Sequence, residues 1–184
     1  MYRTSNDRRF RKNKAIIRRA YIDLTLQKGL GHVTVSDIAK RADINRMTFY
    51  SHYETEDDVL QEFVDDMIDN ITKTTLANPT VDTFFDVMNQ TMYAEIDFFR
   101  LVAKEGKYTD MRTAFRKAIK EILETAFEPQ LGTTPEEVSI KSDLLSAGIA
   151  YAYFDWLHGD YGDASLDEVI NLVKQMMRAT FIKE

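Results

Sequence analysis

The 184-residue sequence has no cysteine and only three prolines. Without cysteine there can be no disulfide, thiol nucleophile or thiolate metal site, which suits a reducing cytoplasm. No apolar run approaches the roughly 18 residues that a membrane span requires. The opening MYRTSNDRRFRKNK is charged and no apolar segment follows it, so a secretory signal is not expected. The three histidines, His32, His52 and His158, are too scattered to suggest a metal site. There is no G-x-S-x-G, no phosphate-cradling glycine loop and no paired histidine. Asp155 and His158, an i, i+3 pair beside Trp156, are the one constellation worth checking for catalysis. The expectation is a protein that is not an enzyme and needs neither cofactor nor metal.

Hydrophobic residues make up 44% of the chain, enough for a packed core, and the shortage of proline favours helix. The formal net charge of −6 conceals an asymmetry. Residues 1–53 hold twelve Lys and Arg against four Asp and Glu, a net of +8. The remainder holds twelve against 26, a net of −14. A basic head on an acidic body points to a polyanion at one end only.

Apolar spacing predicts helices almost throughout, about eight in all, and no strand. The first covers about residues 10–28, with Ile17, Tyr21 and Leu24 on one face and Gly29–Leu30 as its left-handed end. A short second helix starts at Thr34, where Thr34 and Asp37 form a capping box and Val33 with Ile38 a hydrophobic staple. A third is capped by Asn45, with Ile44 and Phe49 as staple, after a turn in which Asp43 can take the left-handed conformation. Longer helices follow over 56–76, 81–104, 110–127, about 134–158 and 165–182. Gly106 is read as an interruption and EPQLGTT as a loop; Thr134–Pro135–Glu137 and Ser165–Glu168 open the last two helices.

Two short helices joined by a tight turn, after a longer one, form a helix-turn-helix unit. An ordinary helical hairpin is the alternative. Phe49 and Tyr53 are expected to face inward onto Ile38, Ala39 and Ile17. That leaves Arg46, Met47, Thr48, Tyr50 and His52 outside. Arginine can bond guanine in two-pronged fashion, and methionine can meet a thymine methyl. Hydroxyl and imidazole groups suit phosphate oxygens. The start of the second helix offers further backbone donors.

The stretch VTVSDIAKRADINRMTFYSHYETEDDVL, residues 33–60, resembles the signature of the TetR/AcrR family of bacterial transcriptional regulators. Thr34, Ile38, Ala39, Ala42, Thr48, Phe49, Tyr50 and His52 match its pattern; Asp43 and Asn45 replace the usual glycine and serine. YFDWLHGDYGDASLDEV near the C-terminus resembles a Gram-positive subgroup. The resemblance implies an all-α protein: a helix-turn-helix domain over 1–54 and a helical effector-binding and dimerisation domain over 55–184. It also implies a homodimer on double-stranded DNA, most simply a repressor released by a small-molecule effector. The alternative is a coactivator whose large domain binds another protein. DNA contacts are expected from Thr34, Ser36, Asn45, Arg46, Met47, Thr48, Tyr50, Ser51 and His52. Arm residues Arg8, Arg9, Arg11, Lys12 and Lys14, with Arg3, Arg18 and Arg19 nearby, are expected along the backbone or in the minor groove. Glu54 and Glu56 stand where the family often has phosphate-binding lysines.

In the larger domain, Phe84, Phe85, Met88, Met92, Phe99, Met111 and Phe115 form a stripe that is first of all core. With Trp156, six of them (Phe84, Met88, Met92, Phe99, Met111 and Phe115) are also the candidate effector pocket. Arg112, Arg116 and Lys120 could hold an anion or simply face solvent. The small-residue seam at 146–154, with Ala147, Gly148, Tyr151 and Phe154, could pair with Leu172, Val173, Met176, Met177 and Phe181 in an isologous dimer interface. Packing within one chain is the other reading.

Overall fold

The computed structural model describes residues 3–104 and 108–181, with side chains from 8–104 and 111–181. Gly106 and the side chain of Arg3 lie outside those residues. All regular structure among the described residues is helical, in ten segments. The chain forms two compact units, residues 1–66 and 67–184.

The first unit begins with α1 (Arg3–Lys28), α2 (Val35–Arg41) and α3 (Arg46–Tyr50), and takes in the start of α4 (Glu56–Ala77). Gly29, at φ 89°, ends α1 by donating its N–H to the Thr25 carbonyl at 2.9 Å. Thr34 and Asp37 cap α2 reciprocally: Asp37 N–H donates to Thr34 Oγ1 at 3.2 Å and Thr34 N–H to Asp37 Oδ2 at 3.1 Å. Asp43 turns the chain at φ 53°, and Asn45 Oδ1 accepts from the Thr48 N–H at 2.7 Å to start α3. Ile17, Ile38, Ala39, Phe49 and Tyr53 are all buried in this unit's core. The starts of α2 and α3 and the aromatic anchors are where the sequence placed them.

The second unit holds the rest of α4 with α5 (Val81–Ala94), α6 (Ile96–Lys104), α7 (Tyr108–Ala126), α8 (Glu128–Leu131), α9 (Pro135–His158) and α10 (Leu166–Phe181). The most extensive packing is α7 on α9; α10 lies against α9 and α5. Phe84, Phe85, Phe98, Phe99, Phe115 and Phe154 fill the interior, each burial contributing about 1.5–3 kcal/mol. Charge pairs tie the helices at the rim. Arg178 meets Asp82 at 2.7 Å, and Lys174 reaches Asp82 at 3.2 Å and Asp86 at 3.3 Å.

Four details depart from the sequence reading. The expected helix over 81–104 is two, broken at Glu95 (φ −136°, ψ 41°). Neither proline nor glycine marks the break, and the apolar spacing runs through it in phase. The expected loop EPQLGTT contains α8, with Leu131 fully buried. The Glu137 carboxylate accepts from the Thr133 N–H at 2.8 Å, one residue before the cap Thr134. Finally, α1 starts at Arg3, so the basic arm is helix.

Tyr153 is 1% exposed and donates its hydroxyl proton to Asn89 Oδ1 at 2.6 Å. A buried hydroxyl left without its acceptor costs about 1–3 kcal/mol, whereas a hydrogen bond removed with its donor costs about 1 kcal/mol. Asn89→Leu is therefore expected to destabilise this unit more than Tyr153→Phe. Urea unfolding followed by Trp156 fluorescence checks the order.

Candidate nucleic-acid interface

The reading surface is assembled from α3 outward. Phe49 is fully buried and packs its ring edge-on to Tyr50 and against Tyr53, with centroids 5.7 and 5.8 Å away. That anchor turns the opposite face out. Met47 is 77% exposed and Tyr50 46%. Asn45, Arg46 and Ser51 are exposed too, while Thr48 and His52 are half-buried. Arg46 leans on Tyr50, its guanidinium 5.9 Å from the ring and 3.3 Å from the hydroxyl. The guanidinium edge is thus presented on a semi-rigid aromatic support. Ser36 and Thr34 lie exposed at the start of α2.

Several of the expected phosphate donors are engaged within the unit. The Thr34 hydroxyl donates to Asp37 Oδ2 at 2.7 Å, and Thr48 Oγ1 donates to Asn45 Oδ1 at 3.0 Å. Asp37 also pairs with Lys28 at 2.7 Å. The Lys28 contact first, then the Thr34 bonds, hold its carboxyl down at about 2. This carboxylate occupies ground at the start of α2 where a phosphate was expected.

Lys14 and Arg18 are struts rather than free arm cations. Lys14 pairs with Glu62, sits 5.4 Å from the Phe10 and Tyr53 rings alike, and is half-buried. Arg18 pairs with Asp66 and reaches Glu62 at 3.6 Å. Glu62 also accepts the Tyr53 hydroxyl proton. Burial opposes ionisation of Glu62, but the bonds from Lys14 and Tyr53 outweigh it and its pKa is lowered. A buried tyrosine hydroxyl signals a partner from sequence alone; that the partner is Glu62 does not show there. Arg19 pairs with Asp23 at 3.0 Å, leaving Arg8, Arg9, Arg11 and Lys12 on the exposed arm. A helix about 10–12 Å across cannot enter a minor groove about 6 Å wide, so in this conformation the arm suits only the outer backbone.

The acids after the reading helix are local structure. Asp58 accepts from the N–H groups of Glu54 at 2.9 Å and Thr55 at 2.7 Å, and Glu56 and Asp57 join it in the first turn of α4. They match the helix dipole there. Glu54 remains exposed.

The second unit places its candidate residues differently from the expectation. Phe84, Met88, Met92, Phe99, Met111 and Phe115 are at most 6% exposed and belong to the core. Trp156 lines a groove. Arg116 and Lys120 pair with Asp143 at 3.2 and 3.0 Å, and Arg112 lies 4.1 Å over the Tyr151 ring, so this stripe cross-links α7 and α9. His158 Nδ1 partners Asp160 at 2.8 Å. Of the expected dimer residues, Phe154 and Met177 are core, and Phe181 stacks on Phe127 at 5.5 Å. Val173 and Ala147 are half-buried. What α9 and α10 do expose is an apolar stripe of Ile140, Leu144, Tyr151, Leu172 and Met176, at 48–70%, with Gly148 open beside it. Ile140 and Leu144 escaped the sequence reading, although they continue the spacing of Gly148 and Tyr151 by whole turns.

Residues 17–63 match the model of the bacterial regulatory proteins of the tetR family. It is 31% identical over 71 residues to the HTH-type transcriptional regulator YxbF of Bacillus subtilis (strain 168), a match covering 36% of this chain and 19% of that protein. The chain therefore spans about a fifth of the relative's length. The fold is that of the dihydroxyacetone kinase operon activator DhaS, with TM-score 0.69 at 17% identity over 91% of this chain and 97% of that one. A TetR-family transcriptional regulator from Syntrophomonas wolfei shares it, with TM-score 0.65 at 17% identity over 94% and 96%. No described helix is long and apolar enough to cross a membrane.

His52 stacks on Phe10 with centroids 4.2 Å apart, and burial, then the Lys14 charge, lower its pKa from 6.5. The unfolded chain takes up that proton near 6.5 and the folded chain only at lower pH, so this contribution is complete above 6.5 and lost as pH falls below it. The thermal midpoint is expected to fall more steeply between pH 7.5 and 5 for the native chain than for His52→Gln. The Asp37 contribution disappears only in the separate window from 3.8 down to about 2.

Proposed function

We propose that the protein is a homodimeric transcriptional regulator that reads a palindromic operator with α3 and, most simply, represses until a small molecule releases it. The observation that carries this reading is the outward face of α3: Arg46, Met47 and Tyr50 exposed over a fully buried Phe49. Arg46 and Met47 are the base readers. Asn45, Tyr50, Ser51 and the imidazole of His52 meet phosphates, and Arg8, Arg9, Arg11 and Lys12 follow the backbone. The match of residues 17–63 to a DNA-binding family supports the class, and the positive charge of residues 1–53 supports the partner. The domain division at 1–54 and 55–184 assigns reading to the first part and effector and dimer contacts to the second. Likeness to a Bacillus subtilis protein favours the Gram-positive subgroup.

Selection of bound DNA from a random pool at stated salt tests the reading; half-sites spaced by about one helical turn are expected. On the selected site, Arg46→Ala is expected to cost about 1–3 kcal/mol and relax preference at one base pair. Arg8→Ala, Arg9→Ala and Lys12→Ala together are expected to flatten the salt slope by about 2–3 without changing sequence preference. An unselective pool, or a slope that does not move, counts against it.

The exposed stripe on α9 and α10 is the dimer surface in this proposal. Five large apolar side chains, 48–70% exposed on two neighbouring helices, form a patch of the kind that marks a protein contact. Leu144→Asp with Met176→Asp is expected to give a monomer by sedimentation while helicity is retained.

The second reading is an activator whose larger unit binds a protein. The fold likeness to DhaS, described by its name as an operon activator, motivates it. An operator reporter with the protein alone separates the two by the sign of its response.

A further inference from the structure

The second unit contains a groove of about 590 Å³ where the ends of α5 and α6 meet the turn between α9 and α10. That volume lies within the small-molecule range of about 300–1,000 Å³. One wall is an aromatic platform. Trp156 is pinned by its indole N–H, which donates to the Ala164 carbonyl at 2.8 Å, and Tyr93 meets it edge-on at 6.5 Å. The Arg100 guanidinium lies 5.4 Å over the Trp156 ring. Arg100 has no carboxylate partner among the described residues, and neither has Lys104, one turn further along α6 in the same groove. This sets them apart from Arg116, Lys120, Lys174 and Arg178, each of which is paired with an acid. Asp163 is the one carboxylate in the lining, with Asp167 close enough to Tyr93 to help raise its pKa. Gly162 leaves the side facing them open, with nothing within 4 Å of where a Cβ would stand.

A guanidinium resting beside an indole face still has N–H groups for two parallel bonds to a carboxylate or phosphate. We propose that this groove binds a small organic anion. Arg100 takes the anionic group, Lys104 adds charge, and the ligand's apolar body lies against Trp156 and Tyr93. The proposal rests on the regulator reading for its purpose, since such an anion would be the effector. It places that ligand in the groove rather than among the packed phenylalanines and methionines.

Trp156 is the only tryptophan in the chain, so its emission reports on this groove alone. Titration of the full-length protein with benzoate and with phenyl phosphate is expected to give a saturable change, and benzyl alcohol none. The stronger of the two anions identifies the preferred group. Arg100→Ala is expected to weaken binding about tenfold or more, with Arg100→Lys in between. Lys104→Ala, an exposed position that should not disturb folding, is expected to weaken it about threefold or more. Arg46→Ala, on the DNA-reading helix, should leave the titration unchanged, so loss of DNA reading and loss of groove binding are told apart. Three results would overturn the proposal: benzyl alcohol titrating like the anions, neither anion binding by fluorescence or calorimetry, or full affinity retained in both Arg100→Ala and Lys104→Ala.

Discussion

A helix of five residues cannot hold itself together in water, because nucleation costs more than so few hydrogen bonds return. The reading helix α3 therefore depends on Phe49. Its complete burial fixes both the existence of the helix and the direction in which Arg46 and Met47 point. Asn45 supplies the missing acceptor at one end, taking the Thr48 N–H, and Asp43 in the left-handed region sets the angle of approach. Everything on the outward face inherits its position from these three residues.

Around that anchor, charge is used in two ways that composition cannot separate. Arg8, Arg9 and Lys12 are exposed, while the cations at 14, 18 and 19 are paired with Glu62, Asp66 and Asp23. Glu62 binds three elements at once: α1 through Lys14 and Arg18, the segment after α3 through the Tyr53 hydroxyl, and α4 by its own position. A displacement of α4 is thereby felt at Tyr53, four residues from the buried ring that orients the reading helix.

Local chemistry made the first unit legible. Caps, staples and the Gly29 and Asp43 turns act within five residues, so Thr34, Asp37, Asn45 and Phe49 announce themselves in sequence. The second unit was legible only as helices. Nothing near Glu95 marks the break there, because it answers to packing against distant residues. Phe154 and Met177 lie in the core for a related reason: apolar spacing identifies a hydrophobic side chain but not which of two hydrophobic faces it joins. The same ambiguity hid Ile140 and Leu144. Arg100 over Trp156 could not be foreseen, since 56 positions separate them.

The 26-residue span of α1 joins the surface cations to the core of the reading head without an interruption. Arg8 and Ile17 are nine positions apart on that helix, an offset of about 14 Å along its axis. An extended tail could adjust its reach to the DNA it meets; a continuous helix acts as a ruler. On the proposed reading, the spacing between the outward face of α3 and the cations at the start of α1 is set by the helix and not by the partner.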